Sequence, residues 1–310
     1  MTEFDLVALL TRDLPTHERV VAGPGDDCAL VDLGLPGHWA VLKTDAVVEG
    51  IHFTHDTPPE SVGHKAIARV LSDFAAAAAT PTAALVTLAL PPRFDPARVQ
   101  AVYAGLAATA RRWNVAIVGG ETTTNPERML VSVAALGTVE KDRVVRRSGA
   151  RPGDALFVSG ELGGSIDGHH LTFQPRLDEA WWLTRHFHVD AMIDLSDGLA
   201  GDLRHLASAS GVGAELFEES LPVRRAAKQR ARASDGAKPP TLAALTDGED
   251  FELLFAIAPK DAVAVLDGWK ARFPEVRLTC IGRLTDDPAL RIRNARGPRP
   301  LPHHGYVHFA

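Results

Sequence analysis

The stretch AALVTLALPPRFDPARVQAVYAGLAATARRWNVAIVGG, residues 83–120, contains the pattern that decides the fold. Its two ends are short runs of aliphatic and β-branched residues, which are typical of buried strands. Between them, residues 95–113 begin with an Asp-Pro pair and have the apolar spacing of an amphipathic helix. A strand, a helix and a second strand in one short segment predict an α/β fold.

The same alternation extends in both directions from this segment. The first half also predicts strands at residues 40–45 and 129–139 and a helix at residues 60–79. The second half predicts strands at residues 155–160, 191–197, 213–219, 251–258 and 276–282, and helices at residues 177–188, 199–210 and 260–272. A polar, basic stretch at residues 140–154 interrupts the pattern. Because 310 residues are enough for two domains, we expect an N-terminal domain at residues 1–140 and a C-terminal domain at residues 141–310.

The composition is that of a globular protein, with 45% hydrophobic and 23% charged residues. The 39 acidic residues outnumber the 33 basic ones and give a net charge of -6, which disfavours a nucleic-acid partner. No segment reaches the roughly 18 to 20 apolar residues of a membrane span, so no membrane association is expected. The two cysteines, Cys28 and Cys280, form no metal or disulfide motif, and this fits a cytoplasmic location.

Acidic residues in turn-like settings are the strongest chemical signal, since the sequence has neither a P-loop nor a dinucleotide-binding glycine motif. They are Asp26 and Asp27 in GPGDDCA, Asp45 in KTDAVV, Asp73 in LSDF, Glu121 in GGETTT, and Asp194 and Asp197 in DLSDG. We expect them at strand ends, where ligands bind in open α/β sheets. So many carboxylates in one cleft indicate Mg²⁺ and phosphates. Each motif alone is more typical of a structural turn or cap.

Three basic features have alternative interpretations. Lys65, Arg69 and Asp73 recur every four residues on one helix face, as in a solvated ion-pair stripe or in a site. Arg147 follows another arginine in a segment that is either a phosphate-gripping loop or a solvated linker. The run RRAAKQRAR, residues 224–232, is expected to be a solvated helix face, because it lacks the interleaved aromatic residues of a nucleic-acid patch.

A series of motifs spanning nearly the whole chain resembles those of the thiamine-monophosphate kinase family. They are GPGDDCAL, KTDAVVEGIHF, VLSDFAAAAATP, VGGETTT, RRSGARPGDALFVSGELGGS, AMIDLSDGLAGDLRHL, LTDGEDFELLF and GYVHF. The family belongs to a superfamily with aminoimidazole ribonucleotide synthetase, selenophosphate synthetase and the hydrogenase-maturation protein HypE. The resemblance implies a two-domain PurM-like α/β (α+β) architecture. A four-stranded N-terminal sheet would pair across a homodimer, and a C-terminal α/β domain would close over the nucleotide.

The resemblance also implies an enzyme that transfers the γ-phosphate of ATP directly to thiamine monophosphate, with several Mg²⁺ ions and no covalent intermediate. By motif position, the implied metal ligands are Asp27, Thr44, Asp45, Asp73, Glu121, Asp194 and Asp197. The implied ATP contacts are Tyr103, Gly120, Arg147 and Ser196. The implied thiamine-phosphate contacts are His52, Glu249 and Tyr306.

Three residues depart from the family's pattern. Lys43 stands where the usual residue is Ser, which puts a cation on the metal side of the predicted site and leaves the number of Mg²⁺ ions open. Glu121 replaces the Asp of a GGDTT motif, and Asp247 is an added acid near the presumed substrate end. These departures keep two alternatives open: a related ATP-dependent synthetase or kinase acting on another small phosphorylated substrate, and a catalytically weak ATP-binding paralogue.

Overall fold

The computed structural model describes residues 3–233, 236–302 and 305–306. The first half of the chain alternates helices with strands, and the strands form one sheet. Its elements are α1 (Glu3–Thr11), β1 (Val20–Ala22), β2 (Ala29–Val31), β3 (His38–Val48), α2 (Pro59–Ala76), β4 (Thr80–Leu90), α3 (Pro96–Arg112), β5 (Ala116–Thr124) and β6 (Leu130–Glu140).

The second half continues with shorter strands. Its elements are β7 (Ala155–Ser159), α4 (Leu177–His186), β8 (Ala191–Asp194), α5 (Leu199–Ser210), β9 (Gly213–Phe217), α6 (Arg225–Ala233), α7 (Pro240–Thr246), β10 (Leu253–Ile257), α8 (Ala262–Arg272), β11 (Leu278–Thr285), β12 (Leu290–Asn294) and β13 (Gly297–Pro300). None of the helices in the described ranges is long and apolar enough to cross a membrane.

The first sheet has the strand order β1-β2-β3-β6-β4-β5. β3 pairs antiparallel with β6 along its whole length, and β4 pairs parallel with the edge strand β5. The four long strands correspond to the four-stranded sheet that the family resemblance implies, and the three-residue strands β1 and β2 extend it to six. One face of this sheet packs against α2 and α3. The other face is exposed.

The second sheet has the order β13-β12-β9-β11-β7-β10-β8. Its strands pair antiparallel except for β12 and β9, which are parallel. Every residue of β7, β8 and β10 is buried. Burial on both faces explains why these segments are continuous apolar runs such as LLFAI and show no alternation of polar and apolar residues.

Helix α2 lies between the two halves of the chain. It contacts β3, β6 and β4 of the first sheet and β8 of the second. One apolar core includes Phe74 from α2, Leu183 from α4 and Phe255 from β10. Because α2 is buried on nearly all sides, any polar side chain that it carries must find a partner inside the protein.

Two glycines allow α2 and α3 to cross at very short distance. A Cβ atom on Gly63 would lie 1.8 Å from the carbonyl oxygen of Val102. A Cβ atom on Gly105 would lie 1.9 Å from the carbonyl oxygen of Glu60. No side chain fits at such distances, so glycine is required at both positions and holds α2 in its place against α3.

The predicted mixed α/β architecture is confirmed. The strands predicted in the first half correspond to β3, β4, β5 and β6, and the helix predicted at residues 199–210 is α5. The strand predicted at residues 191–197 ends at Asp194, because the following residues turn to hydrogen-bond with the segment around Glu252. The sequence does not predict the short elements α1, β1, β2, α7, β12 and β13.

Candidate active site

Three buried carboxylates meet beside the C-terminal part of α2. Asp27, Asp73 and Asp194 each place one carboxylate oxygen within 4.8 Å of the other two. They come from the loop before β2, from α2 and from the end of β8. We call these three residues the acidic cluster. Of the predicted metal ligands, these are the ones that the structure brings together, and they meet only when both halves of the chain are folded.

Two carboxylates of the acidic cluster are paired with cations. Arg147 donates to Oδ1 of Asp27 from Nε at 3.1 Å and from Nη2 at 2.7 Å. Lys43 donates from Nζ to Oδ1 of Asp73 at 2.6 Å. Burial lowers the pKa of Lys43, but the charges of Asp73 and Asp45 outweigh burial and hold that pKa above its ordinary value. Lys43 therefore stays charged at neutral pH.

The third carboxylate is paired with a hydroxyl group. Ser72 donates from Oγ to Oδ2 of Asp194 at 2.6 Å. Burial and the charge of Asp27 raise the pKa of Asp194 to about 7. A bound cation would favour the ionised form of this carboxyl group and oppose the shift. Because the donors of the acidic cluster are all carboxylate oxygens, the cluster suits a hard divalent cation such as Mg²⁺.

The predicted ligands Thr44, Asp45 and Glu121 lie on the first sheet. Asp45 and Lys43 share the face of β3 that packs toward α2, and the charge of Asp45 acts on the acidic cluster. Thr44 is exposed on the opposite face, with its hydroxyl 3.5 Å from that of Ser132. Glu121 is exposed on the edge strand β5. Within one chain, Asp45 thus joins the surroundings of the cluster, and Thr44 and Glu121 do not.

The prediction that the acids follow strand ends is wrong for two of them. Asp194 does end β8, but Asp45 lies inside β3 and Glu121 lies inside β5. The physical reason is that most strands of both sheets are antiparallel, so their carboxyl ends do not share one edge. The acidic cluster forms instead on the face of the first sheet that α2 covers.

The loop after β8 connects several predicted site residues. The carbonyl oxygen of Ser196 accepts the backbone N–H of Glu249 at 2.7 Å. The carbonyl oxygen of Asp197 accepts the backbone N–H of Tyr306 at 2.8 Å, while the side chain of Tyr306 is 46% exposed. This loop therefore joins the acidic cluster to the residues predicted to hold the second substrate.

Asp202 is a supporting residue that the motifs did not single out. It is buried in the first turn of α5, and its Oδ2 accepts the backbone N–H of Asp197 at 3.1 Å. Burial, together with the charges of Asp197 and Asp194, raises the pKa of Asp202. The available signal was an acid in the first turn of a predicted helix, where it can satisfy a free backbone N–H group.

Lys65 is a second residue with an unpredicted role. Its side chain is fully buried, and Nζ donates to the carbonyl oxygen of His52 at 2.6 Å and to the Glu249 carboxylate at 2.8 Å. Burial lowers the pKa of Lys65 to about 8, against the opposing charge of Glu249. Since Lys65 and Asp73 are both buried and paired, the interpretation of the stripe on α2 as a solvated face is wrong.

His52 and Glu249, which Lys65 connects, are themselves held in defined conformations. Nδ1 of His52 accepts the backbone N–H of Val48 at 3.1 Å, which places the ring proton on Nε2. Glu249 has a backbone φ of 54°, an uncommon value for a residue other than glycine. Such conformations persist where the surroundings enforce them, often at functional sites.

The expectation that residues 224–232 form a solvated helix face is wrong at two positions. Arg224 lies 3.4 Å from the Asp250 carboxylate, and Arg230 pairs with Asp247. The side chain of Arg224 is 14% exposed and that of Arg230 is 31% exposed. These two ion pairs hold the basic segment against the loop that carries Glu249. One of them also gives the added acid Asp247 a partner.

A cleft of about 240 Å³ lies beside Arg147. It is lined by Ala22, Gly23, Pro24, Gly25, Asp26, Arg146, Arg147, Ser148 and Ala209. The backbone N–H of Arg147 donates to Oδ1 of Asp26 at 2.8 Å, so the segment is anchored and is not a solvated linker. A guanidinium group at the edge of a cleft suits phosphate oxygens.

The other predicted ATP contacts lie on the first half of the chain. A Cβ atom on Gly120 would lie 1.8 Å from the carbonyl oxygen of Val86, so glycine keeps β5 paired to β4 at this point. Tyr103 is half-buried on α3 and packs against the apolar core. Their roles in binding ATP stay predictions.

Known protein families and solved structures match this chain over most of its length. A family model described as AIR synthase related protein, N-terminal domain, matches residues 25–139, and the model of the C-terminal domain matches residues 151–293. A thiamine-monophosphate kinase of Rhodopirellula baltica is 39% identical over 96% of this chain and 93% of its own length. One of Escherichia coli is 33% identical over 99% and 98%. A solved structure described as AaThiL complexed with AMPPCP and TMP is 31% identical, with a TM-score of 0.83 over 99% of this chain and 97% of that one. The chain therefore belongs to the AIR synthase related proteins and, among them, to the thiamine-monophosphate kinase family.

Proposed function

We propose that the protein phosphorylates thiamine monophosphate to thiamine diphosphate by direct, in-line transfer of the γ-phosphoryl group of ATP, with Mg²⁺. The observation that carries the proposal is the acidic cluster, flanked by Arg147 and connected through the loop after β8 to Glu249. The full-length similarity to thiamine-monophosphate kinases supports the substrate pair, as does the related structure with TMP and AMPPCP, which is an analogue of ATP.

Asp27, Asp73 and Asp194 are the residues that would hold Mg²⁺, with Asp45 and Asp197 near them. The all-oxygen donor set and the raised pKa of Asp194 support this assignment. When bound, Mg²⁺ neutralises phosphate charge and aligns the reacting groups. Thr44 and Glu121 stay proposed ligands on the strength of the family resemblance.

The chain's own residues position two phosphorylated substrates. Asp27 orients the guanidinium of Arg147 at the cleft, where it can bind phosphates of ATP. The acceptor is a phosphate that is already ionised, so the transfer needs neither a protein nucleophile nor a general base. His52 and Glu249, both bonded to Lys65, would bind thiamine monophosphate. The exposed ring of Tyr306 would stack on the thiazolium cation, and Ser196 would contact ATP.

We also propose a division of labour between the two halves. Residues 1–140 would form a homodimer and provide most of the residues that bind ATP and Mg²⁺, and residues 141–310 would close over the nucleotide and add Arg147 and Asp194 to the site. The separate sheets of the two halves and the exposed face of the first sheet support this arrangement. The cytoplasmic location expected from the sequence stays a prediction.

The decisive experiment incubates the purified protein with ATP, MgCl₂ and thiamine monophosphate and measures thiamine diphosphate by chromatography. We expect one thiamine diphosphate for each ADP. Asp73→Asn should lower kcat at least about 100-fold, since it removes a charge that acts on the transition state through the metal. The matched control Asp142→Asn, at an exposed turn, should leave kcat unchanged.

Two other results would exclude the proposed reaction. Tight ATP binding without thiamine diphosphate would favour the weak ATP-binding paralogue. ADP formed only with a different small phosphorylated acceptor would favour the related synthetase or kinase.

A further inference from the structure

We propose that Lys43 is a permanent cation of the acidic cluster and that it takes the place of one divalent ion. The inference rests on the proposed Mg²⁺-dependent function of the same cluster. It concerns how many ions this chain binds there, which the proposed function leaves open.

The position of Lys43 is fixed by the first sheet. It lies in the middle of β3, an inner strand that pairs with β2 on one side and β6 on the other. Its Nζ is 2.6 Å from Oδ1 of Asp73, and the exposed fractions are 23% for the lysine side chain and 7% for the aspartate side chain. The negative charges of Asp45 and Asp27 act on the same ammonium group. Lys43 is therefore paired with Asp73 and lies in the combined field of several carboxylates.

The ammonium group occupies space that a metal ion would need. A Mg²⁺ ion binds a carboxylate oxygen at about 2.0–2.1 Å, and an ammonium group donates to one from slightly farther away. Two cations held on the same oxygen would repel each other strongly in a buried site. As long as Lys43 is bonded to Asp73, Oδ1 of Asp73 is closed to a divalent ion.

The charge balance leads to the same conclusion. The acidic cluster and Asp45 together carry four carboxyl groups, and Lys43 and Arg147 supply two positive charges. When all six groups are ionised, two negative charges remain uncompensated, and one divalent ion balances them. Without Lys43 the same carboxylates would leave three uncompensated negative charges, more than one divalent ion balances, and Oδ1 of Asp73 would be open to a further ion.

The exposed ion pair of Lys141 and Asp32 shows what an ordinary pair looks like in this protein. Its atoms are 3.5 Å apart, and the two side chains are 38% and 40% exposed. Such an exposed pair is screened by water and contributes little to stability. Lys141 is therefore a suitable control position.

The test counts Mn²⁺ ions bound per chain in the presence of AMPPCP, by the electron paramagnetic resonance signal of free Mn²⁺. Lys43→Ser should bind one more Mn²⁺ per chain than the unmodified protein. Lys43→Arg should keep the original number, since it keeps the charge, and Lys141→Ser should keep it as well. An unchanged number and affinity in Lys43→Ser would overturn the inference.

Thermal unfolding gives a second readout. In EDTA, Lys43→Ser should melt below the unmodified protein, because Asp73 loses its partner, and Mn²⁺ should raise its Tm by more than that of the unmodified protein. If Lys43→Ser does not fold, Lys43→Gln keeps most of the length of the side chain without its charge and should show the same gain of one ion. Equal Mn²⁺-dependent Tm shifts in variant and parent would count against the inference.

Neither measurement contains thiamine monophosphate. A gain of one ion in a protein without kinase activity would therefore support the role of Lys43 and refute the proposed function. An unchanged ion count in an active kinase would refute the role of Lys43 and support the proposed function.

Discussion

At Lys65, burial and the charge of Glu249 act on the pKa in opposite directions. Burial lowers its pKa to about 8 in the folded protein, whereas the ordinary value of a lysine is 10.5. Between these values the unfolded chain binds more protons than the native protein, so stability rises with pH. The stability that the protein gains when Lys65 is neutral is complete above the unfolded pKa of lysine. It is lost as the pH falls through the folded pKa.

Replacing Lys65 by methionine should remove this pH dependence. From about pH 7 to about pH 9.5, the free energy of unfolding of the parent protein should rise by about 2 kcal/mol relative to Lys65→Met. Urea denaturation at the two pH values measures the difference. Lys141→Met, at an exposed lysine, should show no such change relative to the parent. A difference that is independent of pH for Lys65→Met would mean that the lysine keeps its ordinary pKa.

Arg147 tests whether the geometry of a cation matters as well as its charge. Nε and Nη2 both bond to Asp27, which fixes the plane of the guanidinium at the cleft. Lysine keeps the charge but lacks the planar fork. We therefore expect Arg147→Lys to raise the KM for ATP about tenfold, corresponding to roughly 1.4 kcal/mol. Steady-state kinetics checks this, with Arg151→Lys at an exposed position as the control. Equal KM values in variant and parent would show that only the charge is used.

At the scale of elements, helix α2 determines the position of the site. It carries Lys65, Ser72 and Asp73, and it crosses α3 through the two close glycine contacts. The sequence pattern predicts this helix but not the burial of its polar residues. The reason is that a pattern of one polar residue every four positions is the same whether that face meets water or two folded domains.

Gly63→Ala is the sharpest test of this crossing. Alanine favours an isolated helix over glycine by about 1 kcal/mol, so local propensity alone predicts stabilisation. The new Cβ atom would meet the carbonyl oxygen of Val102 and force the two helices apart. We expect a net loss of about 2–3 kcal/mol in the free energy of unfolding, with a lower kcat because Asp73 moves with α2.

Denaturation curves and kinetics of the same preparations provide the comparison. Ala104→Ser on the exposed side of α3 should change the free energy of unfolding by no more than about 0.5 kcal/mol. A Gly63→Ala protein that is as stable as its parent would show that α2 and α3 can separate without loss.

At the scale of the whole molecule, the sequence predicts the helices and strands far better than it predicts the contacts between side chains from the two halves of the chain. The long strands β3, β4, β5 and β6 were predictable because their patterns are local. The joining of Asp27, Asp73 and Asp194 was expected, but their individual partners were not. Arg147 and Lys43 contact the cluster from segments that are distant in sequence. The local spacing of residues does not predict such contacts. The order of the motifs indicated a shared site for these residues only because it resembles that of a known family.

The exposed face of the first sheet leads to the last prediction. Leu42, Leu85, Val118 and Leu136 lie on four adjacent strands and are 43%, 49%, 63% and 44% exposed, and Leu42 is the direct cross-strand neighbour of Leu136. Large exposed apolar patches usually mark interaction surfaces, and a second copy of the chain is the partner that the family resemblance implies.

Leu136→Asp should therefore convert a dimer into a monomer. A two-fold axis would place the new carboxylate twice in an interface of exposed apolar side chains, where burying a charge is costly. We expect sedimentation equilibrium to show a dimer for the parent protein and a dissociation constant at least about 100-fold higher for the variant. Val263→Asp, at a 69% exposed position on α8, should leave the dimer intact. A parent protein that sediments as a monomer, or a Leu136→Asp protein that remains a dimer, would show that this face does not mediate self-association.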